Sequence, residues 1–301
     1  MLVSALLAVA LSVLAAEDAH KAAFTVAVGG DLSLARGIER RAARVGWPAV
    51  LAPLCDSLAG ADASIVNLES AAGTCLAGGT AQRPRLCGQP EALGFLPRAG
   101  ITAVTVANNH ALDAGELALA ETVARLRREN VTVLGVAAVH SGKPVAEPLG
   151  SITVVAASLS RSWWPPASKV PIPTPEEVGR AVSAARQQDP ARPILVLLHG
   201  GRELDPEPSS FEHAYGRAAV RAGAAAVVCH GSHTARALET KSRVPVHLGL
   251  GNLLFDQRDA RTSRGQVLLL RFRPGAPAQV AEIRSVDATT GRLASSPRPG
   301  R

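Results

Sequence analysis

The sequence contains few aromatic residues and almost no methionine, which limits how its core can be built. Aromatic side chains make up 3% of the 301 residues, and Met1 is the only methionine. Because 47% of the residues are nevertheless apolar, we expect valine, leucine and alanine to form the core. A chain of this length can bury one large core or two small ones.

Lysine is also scarce, although the chain is basic overall. The net charge is +7, and only four of the 32 basic residues are lysines, at positions Lys21, Lys143, Lys169 and Lys241. The basic residues are scattered and are not interleaved with aromatic residues, so the pattern does not support a nucleic-acid interface. A polyanionic partner is compatible with the charge, but the charge alone does not establish one.

Cysteine is limited to four positions, and their spacing matches no zinc-binding pattern. Cys75 and Cys87 flank a glycine-containing loop and could form a disulfide in an oxidising compartment. Two unpaired thiols fit the spacing equally well, so the sequence leaves both states open.

The first sixteen positions form an apolar run that ends at Ala16, just before Glu17. We interpret residues 1–16 as a secretory signal peptide, which predicts export to the periplasm or cell envelope. No lysine or arginine follows Met1, so an uncleaved membrane anchor is the alternative, although the run is short for a bilayer span.

The central motif of the chain lies between Ile101 and Asp113. The β-branched apolar run 101–106 predicts a buried strand, and the sequence Asn108-Asn109-His110 follows it. A helical pattern of apolar residues then begins near Gly115 and extends to residue 129. In α/β proteins ligands bind at the carboxyl ends of strands, although Asp113 could simply cap the helix.

Five further apolar segments end in the same way. Strands are predicted at 24–30, 63–66, 193–198, 225–229 and 244–250. Polar side chains follow them, namely Asp31, Asn67 and Glu69, His199, His230 and His233, and Asn252. Any one of these residues could be a helix cap. Six strand ends of this kind, alternating with predicted helices, indicate a single site.

The remaining segments complete the predicted α/β order. Helices are predicted at 49–58, 91–99, 176–188 and 209–222, a strand at 131–136, a strand pair at 144–158, and antiparallel strands at 265–272 and 278–284. Trp163 and Trp164 either line a substrate groove or fix an irregular loop on the body of the protein. The serine- and proline-rich end, residues 287–301, is predicted to be disordered.

Carboxylate, imidazole and amide side chains together suit borderline divalent ions such as Mn, Fe or Zn. Two such ions can share a bridging carboxylate and activate a water molecule for attack at phosphorus. A histidine beside an asparagine ligand can then transfer a proton to the leaving oxygen. The predicted site therefore fits one or two divalent ions.

The order of these motifs resembles the bacterial CapA family of capsule and poly-γ-glutamate biosynthesis proteins, which have the calcineurin-like metallophosphoesterase fold. The resemblance covers residues 24–272 and is carried by the segments Gly30-Asp31 with Arg36, Asn67-Leu68-Glu69, Ala107 to Asp113, His199 with Gly201 and Glu203, Gly223-Ala224 leading to His233, and Leu250-Gly251-Asn252 with Phe255-Asp256-Gln257. It implies a four-layer α/β/β/α sandwich spanning residues 24–286.

The resemblance also implies roles for individual residues. The predicted metal ligands are Asp31, Glu69, Asn109, His199 and His233. His110, with Asp113, is predicted to handle protons. The residues predicted to contact an anionic substrate or to support the ligands are Arg36, Asn67, Glu203, His230 and Asn252.

Two positions depart from the motifs expected by resemblance. Ser33 stands where metallophosphoesterases usually have a histidine, and Gly231 stands where the late motif usually has one. His230 is one residue out of register, and on a strand this shift would turn its side chain to the opposite face. These departures put the second metal position in doubt.

Three functions remain open from the sequence. The first is an exported metal-dependent hydrolase that acts on a phosphate ester or an envelope polymer. The second is a non-catalytic envelope component that binds or exports an anionic polymer, as part of a biosynthetic complex. The third is an ordinary α/β domain whose polar strand ends are only caps.

Overall fold

The computed structural model describes residues 23–73, 85–162 and 169–294. Its first sheet has eight strands in the order β15-β14-β13-β1-β2-β5-β6, with β12 also paired to β1. These strands are β1 Phe24–Leu32, β2 Ala63–Leu68, β5 Ala103–Thr105, β6 Thr132–Leu134, β12 Asn252–Leu254, β13 Arg264–Phe272, β14 Gln279–Asp287 and β15 Arg292–Leu293. Strands β1, β2, β5 and β6 run parallel, so their carboxyl ends share one edge.

The second sheet has five strands in the order β11-β10-β9-β8-β7. They are β7 Val145–Leu149, β8 Ile152–Ser158, β9 Ile194–His199, β10 Ala226–His230 and β11 Val246–His247. All neighbouring pairs are parallel except β7 with β8. A small separate pair, β3 Ala71–Ala72 and β4 Cys87–Gly88, lies outside both sheets.

Seven α-helices lie in the described part of the chain. They are α1 Arg36–Val45, α2 Trp47–Leu51, α3 Pro53–Leu58, α4 Glu116–Arg128, α5 Val136–Ser141, α6 Pro175–Gln188 and α7 Ser210–Arg221. Both α6 and α7 begin with a capping box, in which a hydroxyl and a glutamate three residues later satisfy the first backbone amides.

The alternation of apolar side chains along the strands produces a four-layer sandwich. Val26 and Val28 of β1 face a core shared with Leu195, Leu197 and other residues of the second sheet. Ala27, on the opposite face of β1, belongs to a core with α1 to α4. A third core joins the outer face of the second sheet to α6 and α7. The predicted α/β/β/α fold class is confirmed.

Most predicted elements are present, but several differ from the structure. The helix predicted at 91–99 is two short 3-10 helices, Pro90–Phe95 and Pro97–Ala99, because Pro97 interrupts the backbone hydrogen-bonding pattern. The strand predicted at 131–136 ends at Leu134, and α5 follows it. Within the strand predicted at 244–250, only β11 is regular, and Leu250 forms an isolated bridge with Ala235.

The chain end is more ordered than predicted. Strand β14 continues to Asp287, and β15 pairs with it through Val286 opposite Leu293. The prediction of disorder from residue 287 is therefore wrong for residues 287–294. The Asp287 carboxylate holds this turn by accepting hydrogen bonds from the Thr289 and Thr290 amides, a local interaction that composition does not reveal.

Several predictions concern residues outside the described ranges. The interpretation of residues 1–16, the two adjacent tryptophans 163 and 164, and Cys75 belong to this group. Cys87 is disulfide-bonded, whereas Cys55 and Cys229 are free thiols. Within the described residues, no helix combines the length and apolar character needed to cross a bilayer.

Candidate metal centre

Asp31 lies at the carboxyl end of β1, where three strands of the first sheet meet. It is opposite Asn67 of β2 and Asn252 of β12, and the ladders on both sides become irregular next to it. The side chain is fully buried. A buried carboxylate needs hydrogen-bond donors or a cation, and residues from both sheets supply donors.

The Asn67 side chain organises three of the predicted site residues. Its Nδ2 lies 2.8 Å from Asp31 Oδ1, 3.4 Å from Glu69 Oε2 and 3.1 Å from His199 Nδ1. Its Oδ1 accepts a hydrogen bond from Asn108 Nδ2 at 3.0 Å, which fixes the orientation of the amide. Asn67 therefore supports the predicted ligands by donating hydrogen bonds to them.

His199 enters this cluster from the second sheet, at the end of β9. Its Nδ1 lies 3.1 Å from Asn67 Nδ2, and its Nε2 lies 2.7 Å from Asn109 Oδ1. The same nitrogen lies 3.7 Å from Glu69 Oε1. Burial lowers the pKa of His199 and outweighs the opposing charge of Asp31, and with smaller contributions from His230 and His233 the pKa is about 3. Its imidazole is therefore neutral and able to bind a metal.

His233 approaches the same carboxylates from the loop after β10. Its Nδ1 lies 2.9 Å from Asn252 Oδ1 and 3.3 Å from Asp31 Oδ2, which leaves Nε2 3.7 Å from Glu69 Oε1. Histidine ligands commonly donate one ring nitrogen to an oxygen in this way and coordinate through the other. The residue has a left-handed backbone, with φ of 57°, which only a constrained loop maintains.

The acidic residues of the cluster hold protons unequally. Burial raises the pKa of Asp31, but the hydrogen bond and charge of His233 outweigh it and bring this pKa well below its usual range. Burial raises the pKa of Glu69 far above its usual range, and the nearby charges of Asp31 and Glu203 add to the effect. Burial opposes protonation of His233, but Glu69 and Asp31 raise its pKa to about 10.

The surroundings of Gly231 explain why a glycine stands where the late motif usually has a histidine. Its backbone amide donates to Asp31 Oδ2 at 3.1 Å. The residue has φ of 92°, and a Cβ added there would lie 2.9 Å from His199 Cε1 and 3.0 Å from Gly200 N. A side chain at position 231 and the observed position of His199 therefore exclude each other.

The donor set fits a divalent cation. Asp31, Glu69 and His199 each offer one ligand atom, and these atoms lie within 4.8 Å of one another. His233 Nε2 faces the same Glu69 oxygen, and Asn109 Oδ1 contacts His199. Two carboxylates, two imidazoles and an amide oxygen, almost all buried, form the mixed set that Mn, Fe and Zn accept.

His110 and Asp113 lie beside this cluster as a separate pair. His110 Nδ1 is 2.7 Å from Asp113 Oδ2, which also accepts from the backbone amide of Leu86 at 2.6 Å. The His110 backbone amide donates to Asn108 Oδ1 at 3.0 Å, and Asn108 Nδ2 in turn contacts Asn67. Asp113 thus orients the imidazole and is not the cap of α4, whose first residue follows Gly115 without a side-chain cap.

Two of the residues predicted to contact substrate lie in different environments. Arg36 is half-buried and paired with Asp256 through Nε at 3.0 Å. Glu203 is exposed and close enough to raise the pKa of both Glu69 and His233.

His230 differs most from its predicted role. Its side chain is buried, and Nε2 donates to the Gly29 carbonyl at 3.0 Å across the two sheets. This position corrects the predicted substrate contact, because the imidazole is enclosed between the sheets and its Nε2 proton is already used by the backbone.

Two contributors were not predicted from the sequence. Asn108 was part of the central motif but had no assigned role, and it connects Asn67 to His110. Arg236 is a buried arginine whose guanidinium contacts the loop after His199. No local motif distinguishes Arg236 from the many other arginines of the chain.

Sequence comparisons agree with this arrangement. A family described as "Bacterial capsule synthesis protein PGA_cap" matches residues 25–257. Capsule biosynthesis protein CapA of Bacillus anthracis is 24% identical over 206 residues, which cover 64% of this chain and 49% of that protein. PGA biosynthesis protein CapA of Bacillus subtilis (strain 168) is 26% identical over 181 residues, covering 57% and 47%. The chain thus spans about half the length of these curated relatives.

Two solved structures share a similar architecture. NAD nucleotidase (NadN) of Haemophilus influenzae has a TM-score of 0.48 and 13% identity, over 89% of this chain and 50% of that chain. The protein TT1561 of Thermus thermophilus has a TM-score of 0.45 and 11% identity, over 84% and 99%. Similarity at this level carries no argument about function. Because the family match extends over most of the chain and includes Asp31, Glu69, Asn109, His199 and His233, this protein belongs to the bacterial capsule synthesis protein family PGA_cap.

Proposed function

We propose that this protein is a metal-dependent hydrolase of the phosphoesterase type. The observation that carries the proposal is the convergence of Asp31, Glu69 and His199 from strand ends in two sheets, within 4.8 Å. Such a buried set of two carboxylates and an imidazole is costly without a cation. A purely structural domain would need no such set, and polar helix caps would not converge across two sheets.

The proposed ligands are Asp31, Glu69, Asn109, His199 and His233. A divalent cation bound there would supply Lewis acidity and a water molecule of lowered pKa. The protein residues orient the ligands. Asn67 donates to the Asp31 and Glu69 carboxylates and lies beside His199 Nδ1, and Asn252 holds Nδ1 of His233.

The proposed proton-handling residue is His110. Its Nδ1 is held by Asp113, which fixes the tautomer and leaves Nε2 to exchange a proton with the leaving group. Asn108 accepts from the His110 amide and donates to Asn67, so the position of His110 is tied to the ligand cluster. This arrangement places the proton donor on the same loop as the proposed ligand Asn109.

The test combines metal analysis with turnover. Protein purified without chelator should contain Mn, Fe or Zn and should hydrolyse p-nitrophenyl phosphate. Asp31→Asn should lose the metal, whereas His110→Ala should keep it and lose turnover. His140→Ala is a matched control, because His140 is an exposed histidine paired with Glu116 on the surface. Protein free of metal and inactive after metal addition would contradict the proposal.

A second candidate function is the binding of an anionic polymer without hydrolysis. Arginines lie on the loops that leave the strand ends around the cluster, and Arg202 and Arg258 are exposed. Arg36 is partly exposed and is paired with the Asp256 carboxylate. Such a basic rim would attract polyanions with a strong dependence on salt.

This candidate is tested by retention of poly-γ-glutamate on the immobilised protein at low and high salt. Retention that disappears at high salt, falls in Arg202→Gln with Arg258→Gln, and occurs without turnover favours it. Strong turnover of phosphate esters with no retention favours the hydrolase.

We also propose that the protein is exported. Cell fractionation with detection of the processed amino terminus would test this proposal.

A further inference from the structure

The segment 85–88, which contains β4, contacts Asp113 at two points. The Leu86 amide donates to Asp113 Oδ2 at 2.6 Å, and Arg85 Nη1 donates to the Asp113 carbonyl at 2.9 Å. The same Oδ2 lies 2.7 Å from His110 Nδ1, whereas Oδ1 has no hydrogen-bond partner among the described residues. The Asp113 side chain is fully buried, so the Leu86 amide is what holds this carboxylate from the side opposite the imidazole.

The noncovalent contacts that hold the segment 85–88 in the described part of the chain are small. Its ladder with β3 extends over two residue pairs and lies outside both large sheets, and Gly88 adds one isolated bridge to Ala35. Leu86 packs in a core of three buried residues, with Ala35 and Phe255. Because isolated two-stranded pairs are marginally stable and three side chains bury little apolar surface, these contacts fix the segment weakly.

A covalent link supplements them. Cys87 is disulfide-bonded and directly follows Leu86. A disulfide removes conformational freedom from the chain that it closes, and consecutive Cα atoms are only about 3.8 Å apart. The disulfide therefore limits how far the Leu86 amide can move from the Asp113 carboxylate.

We infer that Cys87 is a positioning residue for His110. Its disulfide keeps the Leu86 amide on the Asp113 carboxylate, and that carboxylate orients the imidazole. The inference rests on the proposed function, in which His110 protonates the leaving group. None of the proposed metal ligands takes part in these contacts, so loss of the disulfide should impair proton transfer and leave metal binding intact.

The test is Cys87→Ser, assayed as Mn²⁺-loaded protein with two substrates. Phenyl phosphate has a more basic leaving group than p-nitrophenyl phosphate, so its hydrolysis depends more strongly on a proton donor. The substitution should lower kcat for phenyl phosphate by about 10-fold or more and kcat for p-nitrophenyl phosphate by less, with KM and the Mn²⁺ dissociation constant unchanged. Unchanged kcat values, equal losses with the two substrates, or weaker Mn²⁺ binding would overturn the inference.

Reduction of the folded wild-type protein tests the same link without a substitution. A water-soluble phosphine converts the disulfide to two thiols and is itself oxidised to the phosphine oxide, with the oxygen atom and the two protons supplied by water. Turnover of phenyl phosphate should fall by about 10-fold or more and recover after reoxidation with oxidised glutathione. Full turnover in protein whose thiol count confirms reduction would overturn the inference, even if Cys87→Ser does not fold.

Two further variants complete the design. Cys55→Ser is a matched control, because Cys55 is an exposed free thiol, and it should change neither kcat nor Mn²⁺ affinity. In a His110→Ala background, Cys87→Ser should lower kcat no further, because the residue that it positions is absent. A further loss there, or a loss in Cys55→Ser equal to that in Cys87→Ser, would overturn the inference.

The same measurements separate this inference from the proposed function. Wild-type protein that binds no Mn²⁺ or hydrolyses neither substrate would contradict the proposed function. Wild-type turnover that does not depend on the disulfide would contradict only the positioning role of Cys87.

Discussion

In the buried cluster between the two sheets, a metal ion competes with protons for the same side-chain atoms. His233 carries a raised pKa of about 10 because Asp31 and Glu69 face it, and burial raises the pKa of Glu69. Coordination requires neutral His233 and ionised Glu69, since the lone pairs that bind a metal are the ones that bind protons. A side chain that holds a proton on the coordinating atom therefore cannot bind the metal through that atom.

We predict that metal affinity increases with pH. Below about pH 10 the metal-free protein holds a proton on His233, so the dissociation constant should fall about tenfold for each pH unit, and more steeply wherever Glu69 is also protonated. Calorimetry in buffers of different ionisation enthalpy measures the protons released. An affinity that does not change with pH across the neutral range would contradict this proton competition.

The same pKa predicts the stability of the metal-free protein. A histidine whose pKa rises on folding stabilises the protein fully below its unfolded pKa of about 6.5. This contribution is lost as the pH rises through about 10. Denaturant titrations of metal-free protein should therefore show His233→Asn to be most destabilising below about pH 6.5, progressively less so as the pH rises, and least destabilising above about pH 10.

Gly231 gives a third prediction at the scale of one residue. Gly231→Ala should cost about 1 to 2 kcal/mol for the left-handed backbone and should also displace His199, whose ring lies 2.9 Å from the added Cβ. Gly115→Ala is the matched control, because its φ is 89° and nothing lies within 4 Å of an added Cβ. Both variants should lose stability, but only Gly231→Ala should weaken metal binding. Equal metal affinities in the two variants would show that the contact with His199 is relieved without cost.

At the scale of elements, the capping boxes of α6 and α7 provide a matched pair. Thr174→Ala and Ser209→Ala each remove a hydroxyl that accepts from a backbone amide, which costs about 1 kcal/mol of unfolding free energy. Only Ser209 also binds the carboxylate of Glu212, the partner of Arg236. Urea denaturation should give similar losses, and Mn²⁺ titration should show weaker binding only for Ser209→Ala. Weaker binding in Thr174→Ala would mean that helix stability in general controls the site.

At the scale of the whole molecule, the candidate centre joins the two sheets. Asp31 and Glu69 lie at or just after strand ends of the first sheet, and His199 and His233 lie at or just after strand ends of the second. A cation bound by both should oppose their separation on unfolding. At a concentration about 100-fold above its dissociation constant it should raise the melting temperature by about 5 to 10 °C. Scanning calorimetry with metal and after chelation measures this shift. Asp31→Asn should show no shift, and an equal shift in that variant would place the cation elsewhere.

The sequence determined the fold class and identified most of the residues that the structure brings together at the candidate metal centre. Continuous apolar runs and period-3.6 apolar patterns depend on neighbouring residues, so β1, β9, α4, α6 and α7 could be predicted to within a few residues. The polar strand ends Asp31, Glu69, His199 and His233 were recognisable because parallel strands bring their carboxyl ends to one edge of a sheet.

Only the tertiary structure determined the pKa values, the packing and the hydrogen-bond partners of these residues. The enclosure of His230, the requirement for glycine at 231 and the five donors of Arg236 depend on groups far apart in the chain. Burial and the distances between charges, which set the pKa of each ligand, arise only when the two sheets pack together. The pattern of neighbouring residues in the sequence can predict that a residue lies at the end of a strand. It cannot specify which residues of the other sheet that side chain contacts.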